Sequence, residues 1–175
     1  MEQLIKMAKN GDENAFTELI ISVEVTLYKI AKTRLRNEED IKEAIQETII
    51  QAFKSLNKLK NPEYFKTWII KILINNCNKI YNKNKKFNEI EYNDYIANDL
   101  SYNHIETIDN IMDFDFMIRE LNNDERLTLT LFYSEKLTIK EIAKILKISE
   151  SAIKNRLFRA RNKIKKEIEG GIYNG

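Results

Sequence analysis

Only one proline, Pro62, and four glycines interrupt 175 residues, too few breaking positions for the turns of a many-stranded fold. The chain is rich instead in Lys, Glu, Leu and Ile, side chains that sit comfortably in helices or on their buried faces. The expected fold class is therefore all-α, and 43% hydrophobic content at this length suffices for one ordinary domain or two small ones.

Charge favours two. Residues 1–86 carry 16 Lys/Arg against 11 Asp/Glu, residues 87–125 carry 1 against 11, and residues 126–175 carry 12 against 5. Two basic blocks flank an acidic one, the pattern of two polyanion-binding units joined by a segment that nucleic acid repels. The expected division is an N-terminal unit over 1–86, an acidic linker over 87–111 and a C-terminal unit over 112–175.

Several function classes fall away early. No apolar run approaches the roughly 20 residues that span a bilayer, and the first 16 residues are too polar for a signal peptide, so a cytoplasmic protein is expected. The single cysteine, Cys77, excludes an internal disulfide, and the single histidine, His104, leaves no cluster for a zinc site or a His-based triad. Cys77 reads as a helix-packing residue and His104 as a solvated linker residue. No catalytic residue, metal, cofactor or small-molecule substrate is expected.

Along the N-terminal block, Phe16, Leu19, Ile20, Val23, Leu27 and Ile30 recur at helical spacing and predict one core helix. Ile41, Ala44, Ile45, Thr48, Ala52, Phe53 and Leu56 predict a second. Its outward side carries Asp40, Glu43, Gln46, Glu47 and Gln51, an acidic, amide-rich face unsuited to phosphates and suited to a basic protein partner. Asn61-Pro62 reads as an N-cap followed by proline at the first helical position. The helix it opens buries Phe65, Trp68, Ile69, Ile72, Cys77 and Ile80, and sets Lys71, Asn75, Asn78, Lys79 and Asn82 along another face. Asparagine is a mediocre helix former, so several in one helix point to amides kept for hydrogen bonding.

In the C-terminal block a helical pattern runs from Met112 through Leu121, breaks at Asn122-Asn123 and resumes through Leu127, Leu129, Leu131 and Phe132. Thr138 and Glu141 then form a capping box for a helix over Ile139–Leu146, with Ile142, Ala143 and Leu146 inward. After a tight connection at Lys147-Ile148, Ser149 caps a longer helix that buries Ile153, Leu157, Ala160 and Ile164. Two helices joined so closely fit a helix-turn-helix. Lys154, Asn155, Arg156, Phe158, Arg159 and Arg161 project from the second helix. Arg and Lys can bond guanine, Asn adenine, and Phe can touch the thymine methyl, while other cations hold phosphates. Lys147 stands where a glycine is common in such turns, so either a strained backbone or a modified turn is expected there.

In this order, three stretches resemble the extracytoplasmic-function group of bacterial RNA polymerase sigma factors: Asp40 to Glu47; Phe65 to Ile72 with Asn75; and Ile142-Ala143 through Ala152 to Arg161. The resemblance implies that Asp40, Glu43, Gln46, Glu47 and Gln51 dock on core RNA polymerase. It implies that Leu59, Lys60, Asn61, Tyr64, Trp68, Lys71, Asn75 and Lys79 bind the −10 element and its melted non-template strand. Ser151, Lys154, Asn155, Arg156, Phe158, Arg159 and Arg161 would read the −35 element in double-stranded promoter DNA. It further implies restraint by an anti-sigma factor, often membrane-anchored, and a linker whose Asp94, Asp99, Glu106 and Asp109 enter a basic polymerase channel. The rival reading is a helix-turn-helix regulator that binds operators without sigma activity. It leaves the Gln46-Glu47 face and the Trp68 to Asn75 helix without a task. A recombinase would need a nucleophile or metal carboxylates, and no such constellation is found.

Overall fold

The structure, a computed structural model, describes residues 1–91 and 121–172. The described residues form two helical units. Helix α1 (Glu2–Lys9), unanticipated in the sequence, buries Ile5. A tight turn follows with Gly11 at φ +94, a backbone state that glycine enters without steric cost. Asp12 then caps α2 (Glu13–Ile21), its carboxylate accepting from the Ala15 amide at 3.0 Å.

The stripe expected as one helix is two. Helix α2 stops at Ser22, whose hydroxyl donates to the Leu19 carbonyl at 2.7 Å, and α3 (Glu24–Lys32) begins after Val23. Phe16, Leu19, Val23, Leu27 and Ile30 are nevertheless all buried, so the break bends the chain without turning the stripe out of the core. Asn37 caps α4 (Glu38–Ser55), and Glu38, Glu39 and Asp40 fill its first turn, where the positive end of the helix dipole favours acids.

Short 3-10 turns at Leu56–Lys58 and Pro62–Tyr64 lead into α5 (Phe65–Glu91). Asn61 caps the second of these turns as expected, with its side chain accepting from the Glu63 amide at 3.0 Å. Helix α5 is the centre of the unit, packed on α3 and most extensively on α4. It therefore buries more than its expected stripe: Ile70, Leu73, Ile74 and Asn76 join Phe65, Ile69, Cys77 and Ile80 inside, while Trp68 and Ile72 are only half-buried. The helix continues to Glu91. Residues 92–111 of the expected linker, with His104 and its four named acids, and the expected helical stretch over 112–120 lie outside the described residues.

In the second unit Asn122 and Glu125 form a capping box at the start of α6 (Asn123–Leu129), which runs into one π-helical turn over Thr130–Ser134. The Thr138–Glu141 box opens α7 over Ile139–Leu146, the span anticipated. Helix α8 (Glu150–Ile172) packs on α6 and α7. Ile142, Ala143, Ile145, Ile153, Leu157 and Ala160 form the buried centre, with Leu146 and Ile164 at its edge. Glu125 is itself buried, and its second role is to accept Lys163 at 2.8 Å, tying the start of α6 to α8. The two units meet where α7 packs on α5 and the π-helical turn on α3.

Candidate nucleic-acid interface

The turn between α7 and α8 sets the direction of the candidate reader helix. Lys147 ends α7 in the left-handed region, φ 57 and ψ 41, the strain expected from a non-glycine residue in such a turn. The Ser149 hydroxyl then accepts from the Ala152 amide at 3.1 Å, satisfying a free donor at the start of α8. With Ile153, Leu157 and Ala160 fixed in the core, Lys154, Asn155, Phe158, Arg159 and Arg161 are exposed, and Phe158 at 62% is far more open than any packing role requires. Ser151 is exposed too, 2.9 Å from the Ser149 hydroxyl. This is a helix face of cations, one amide and one apolar ring, the chemistry that base edges, phosphates and a thymine methyl call for. Arg156 differs: its side chain is 22% exposed and its Nη2 pairs with Asp124 at 3.1 Å.

The Glu141 carboxyl, which closes the cap of α7, is held below the usual carboxylate range. The Thr138 hydroxyl and amide do most of this, and the Thr67 hydroxyl on α5 adds to it.

On α5, Lys71, Asn75 and Lys79 are exposed at four-residue spacing and so share one face. Lys60, Asn61 and Tyr64 are exposed at its entrance, and Trp68 lies half-buried with its ring 6.0 Å from that of Phe65. Leu59 is placed otherwise. Its side chain is buried and its carbonyl accepts the Lys9 ammonium, so it contributes to the core and not to the surface of the loop.

The acidic face of α4 divides similarly. Glu43, Gln46 and Glu47 are exposed, whereas Asp40 accepts from Asn84 at 2.8 Å and Gln51 donates to Asn76 at 3.2 Å. Phe53, expected in the buried stripe, is 55% exposed and touches Phe16 edge-on. With exposed Ile50, which lies outside the expected stripe, it continues the Gln46-Glu47 face in apolar form.

Arg34 was not anticipated at all. Its Nη1 pairs with Asp124 at 2.6 Å and its Nη2 donates to Asn78. Asn78 on α5, Arg34, Asp124 and Arg156 on α8 thus form a continuous polar chain. It borders a cleft of about 250 Å3 that Asn75 and Lys147 also line.

Among the described residues no group of three or more His, Cys, Asp or Glu is placed to hold a metal ion, and no helix is long and apolar enough to cross a membrane.

Two family models match the chain: sigma-70 region 2 over residues 19–87 and sigma-70 region 4 over residues 111–164. Together they cover well over half of it, and the chain belongs to the sigma-70 family; relatives named as extracytoplasmic-function sigma factors include the sigma-E factor of Haemophilus influenzae, 25% identical over 96% of this chain and 95% of that protein. Relatives include the RNA polymerase sigma-H factor of Pseudomonas aeruginosa, 23% identical with 96% of this chain and 93% of that protein aligned. The RNA polymerase sigma factor SigV of Bacillus subtilis is 27% identical over 76% of this chain and 78% of its own. Among solved structures, a sigma factor RpoE from Bartonella quintana, determined with the anti-sigma factor NepR, superposes with a TM-score of 0.70 at 18% identity over 88% of this chain and 96% of that one. CnrH, determined with the cytosolic domain of CnrY, gives 0.66 at 21% identity over 95% and 96%. These likenesses bear out the all-α, two-unit fold. The operator-binding alternative is not favoured.

Proposed function

We propose that this alternative sigma factor binds core RNA polymerase through α4, reads a −35 element with α8, and engages and opens the −10 element with α5 and the loop before it. The observation that carries the reading is the presence on one chain of two unlike faces. One is the exposed cationic and amide face of α8 beyond a strained turn; the other is the exposed acid-amide-apolar face of α4. The first suits a polyanion and the second a basic protein surface. Lys71, Asn75 and Lys79 supply the cations and amide for a separated strand, with Tyr64 and Trp68 near enough to the surface to stack on bases.

An anti-sigma factor is the further partner we infer, since NepR accompanies the solved relative RpoE. Such a factor, where membrane-anchored, would hold this chain at the membrane.

The test is run-off transcription from a fragmented bacterial genome with core polymerase and the purified chain, sequencing the 5′ ends. Starts preceded by a shared pair of spaced elements are expected. Duplex binding by the chain alone, with no stimulation of polymerase, would identify an operator-binding regulator instead.

A further inference from the structure

Positive charge gathers in a hollow for which promoter and polymerase binding give no use. A cleft of about 560 Å3 lies between the residues that follow α3, the later turns of α5 and the start of α6, with Arg34, Arg36, Tyr81, Asn123, Asp124 and Arg126 in its walls. Three guanidinium groups thus face one carboxylate. That carboxylate is already divided, since Asp124 accepts Arg34 at 2.6 Å and Arg156 at 3.1 Å.

The other two arginines are left without a counter-charge. Arg36 is exposed and makes no ion pair. Arg126 is half-buried; its Nη2 donates to the Leu121 carbonyl at 2.9 Å, while its Nε is buried with no hydrogen-bond partner. A buried donor on a charged group that finds no acceptor costs free energy, and like charges drawn into one concavity repel unless an anion sits among them.

The chemistry of the walls narrows the choice of anion. A guanidinium presents a fork that matches two oxygens of a phosphate, and a pair of oxygens at the Nε edge of Arg126 would supply the missing acceptor after a small turn of the side chain. The volume is that of a site for a cofactor-sized molecule, larger than a lone phosphate needs. Tyr81 puts a ring that is 48% exposed into the wall, a surface on which a base can stack. The Asn123 side chain has no hydrogen-bond partner and carries both a donor and acceptors for a base edge. The cleft also stands apart from the faces proposed for DNA. Tyr81 follows Asn75 by six residues, about 120° round the helix axis, and none of the exposed cations of α8 lines the hollow.

We propose that this cleft is a binding site for a free nucleoside polyphosphate. Arg36 and Arg126 hold its phosphates, Arg34 adds its charge beside them, and the base stacks on Tyr81 with the Asn123 amide at its edge. A chain with such a site answers to the concentration of a soluble nucleotide as well as to its macromolecular partners.

The test is isothermal titration calorimetry of the full chain with ATP, GTP, inorganic triphosphate and a short oligothymidylate. ATP or GTP should saturate at one per chain and bind on the order of tenfold more tightly than inorganic triphosphate. Arg36→Gln and Arg126→Gln should each weaken nucleotide binding on the order of tenfold. Tyr81→Ala should bring the nucleotide down to the level of triphosphate, and Tyr81→Phe should keep the difference. Lys144→Gln removes an exposed positive charge outside the cleft and should bind as wild type does. Circular dichroism melts confirm folding; should Arg126→Gln fail to fold, Arg36→Gln, at an exposed and unpaired position, carries the test. Absence of saturable binding would overturn the proposal, and so would equal losses in Arg36→Gln and Lys144→Gln, which would mark a general attraction to basic surface. Triphosphate bound as tightly as ATP and GTP would remove the nucleoside from the assignment. Oligothymidylate bound more tightly than either nucleotide, and weakened by Arg36→Gln, would give the cleft to a nucleic-acid strand instead. The titrations need neither polymerase nor promoter, so their failure is distinct from a failure of the transcription test.

Discussion

Asn76 and Thr48 join the two largest helices of the N-terminal unit through the core: the Asn76 amide, buried on α5, donates to the Thr48 hydroxyl on α4 at 3.1 Å. The Thr48 hydroxyl in turn donates to the Ala44 carbonyl at 2.6 Å, and the Gln51 amide donates to the side-chain Oδ1 of Asn76 at 3.2 Å. The network is satisfied internally, which makes it costly to break from one side. Asn76→Ala should lower stability by about 1 to 3 kcal/mol. In a double-mutant cycle with Thr48→Val the two losses should not add; additive losses in urea unfolding would show that the bond carries no coupling.

Lys147 holds a left-handed backbone that glycine would adopt freely. Lys147→Gly should stabilise the protein by about 1 kcal/mol and raise Tm by roughly 2–8 °C. A lowered Tm would mean that the lysine side chain contributes more than its backbone costs.

Glu43, Gln46 and Glu47 are exposed and free of the internal bonds that engage Asp40 and Gln51. Replacing Gln46 with Ala and Glu47 with Lys should weaken capture by core RNA polymerase on the order of tenfold or more while leaving Tm unchanged. Polymerase affinity equal to wild type would remove this face from the docking surface.

The two proposed DNA faces should fail separately. Arg159→Ala should cost about 1 to 3 kcal/mol of −35 duplex binding if Arg159 meets a base, measured by fluorescence anisotropy against the promoter that run-off mapping defines. Asn75→Ala should reduce transcription from duplex promoters more than from pre-melted ones. Equal activity of Asn75→Ala on both templates would count against its role in opening.

Burial pushes the Cys77 thiol up to about 12, against the opposing pull of the Arg34 charge and a backbone hydrogen bond, whereas its ordinary value is 9.0. Between those values the unfolded chain gives up a proton that the folded chain keeps. Stability from this group is therefore complete below pH 9 and falls as pH climbs toward 12. Relative to Cys77→Ala, the wild type should lose stability by about 1 kcal/mol per pH unit in that window. Urea midpoints at pH 8 and pH 10 check this, and lysine titration cancels in the comparison.

What was legible in the sequence follows the range of the interaction that determined it. The capping box of Thr138 and Glu141, the strained Lys147 and the stripe of α8 are signals within a few residues, and the helix-turn-helix came out as expected. The split between α2 and α3 was hidden because the buried stripe keeps its spacing across Ser22 and Val23. Phe53 faces out and Leu59 in: the first was misplaced because amphipathic spacing marks a face without saying what covers it, the second because a resemblance carries a loop position over without its local packing. Helix α5 buries more than one stripe because it has neighbours on several sides. Glu135, which accepts the Thr26 hydroxyl, and Arg34 gave no local signal at all: their partners lie 109 and 90 residues away in the chain, and no periodicity records such a pairing.

The chain of side chains from Asn78 through Arg34 and Asp124 to Arg156 also makes the two halves answerable to one another. Asp124 has one carboxylate to share between two guanidinium groups, so a ligand that draws Arg156 away alters the hold on Arg34, and one that draws Arg34 away alters the hold on Arg156. Such linkage is reciprocal in free energy whichever event comes first. While those four residues remain in contact, any ligand that competes with Asp124 for one guanidinium is linked to the hold on the other, and the order of arrival leaves no trace in the final balance.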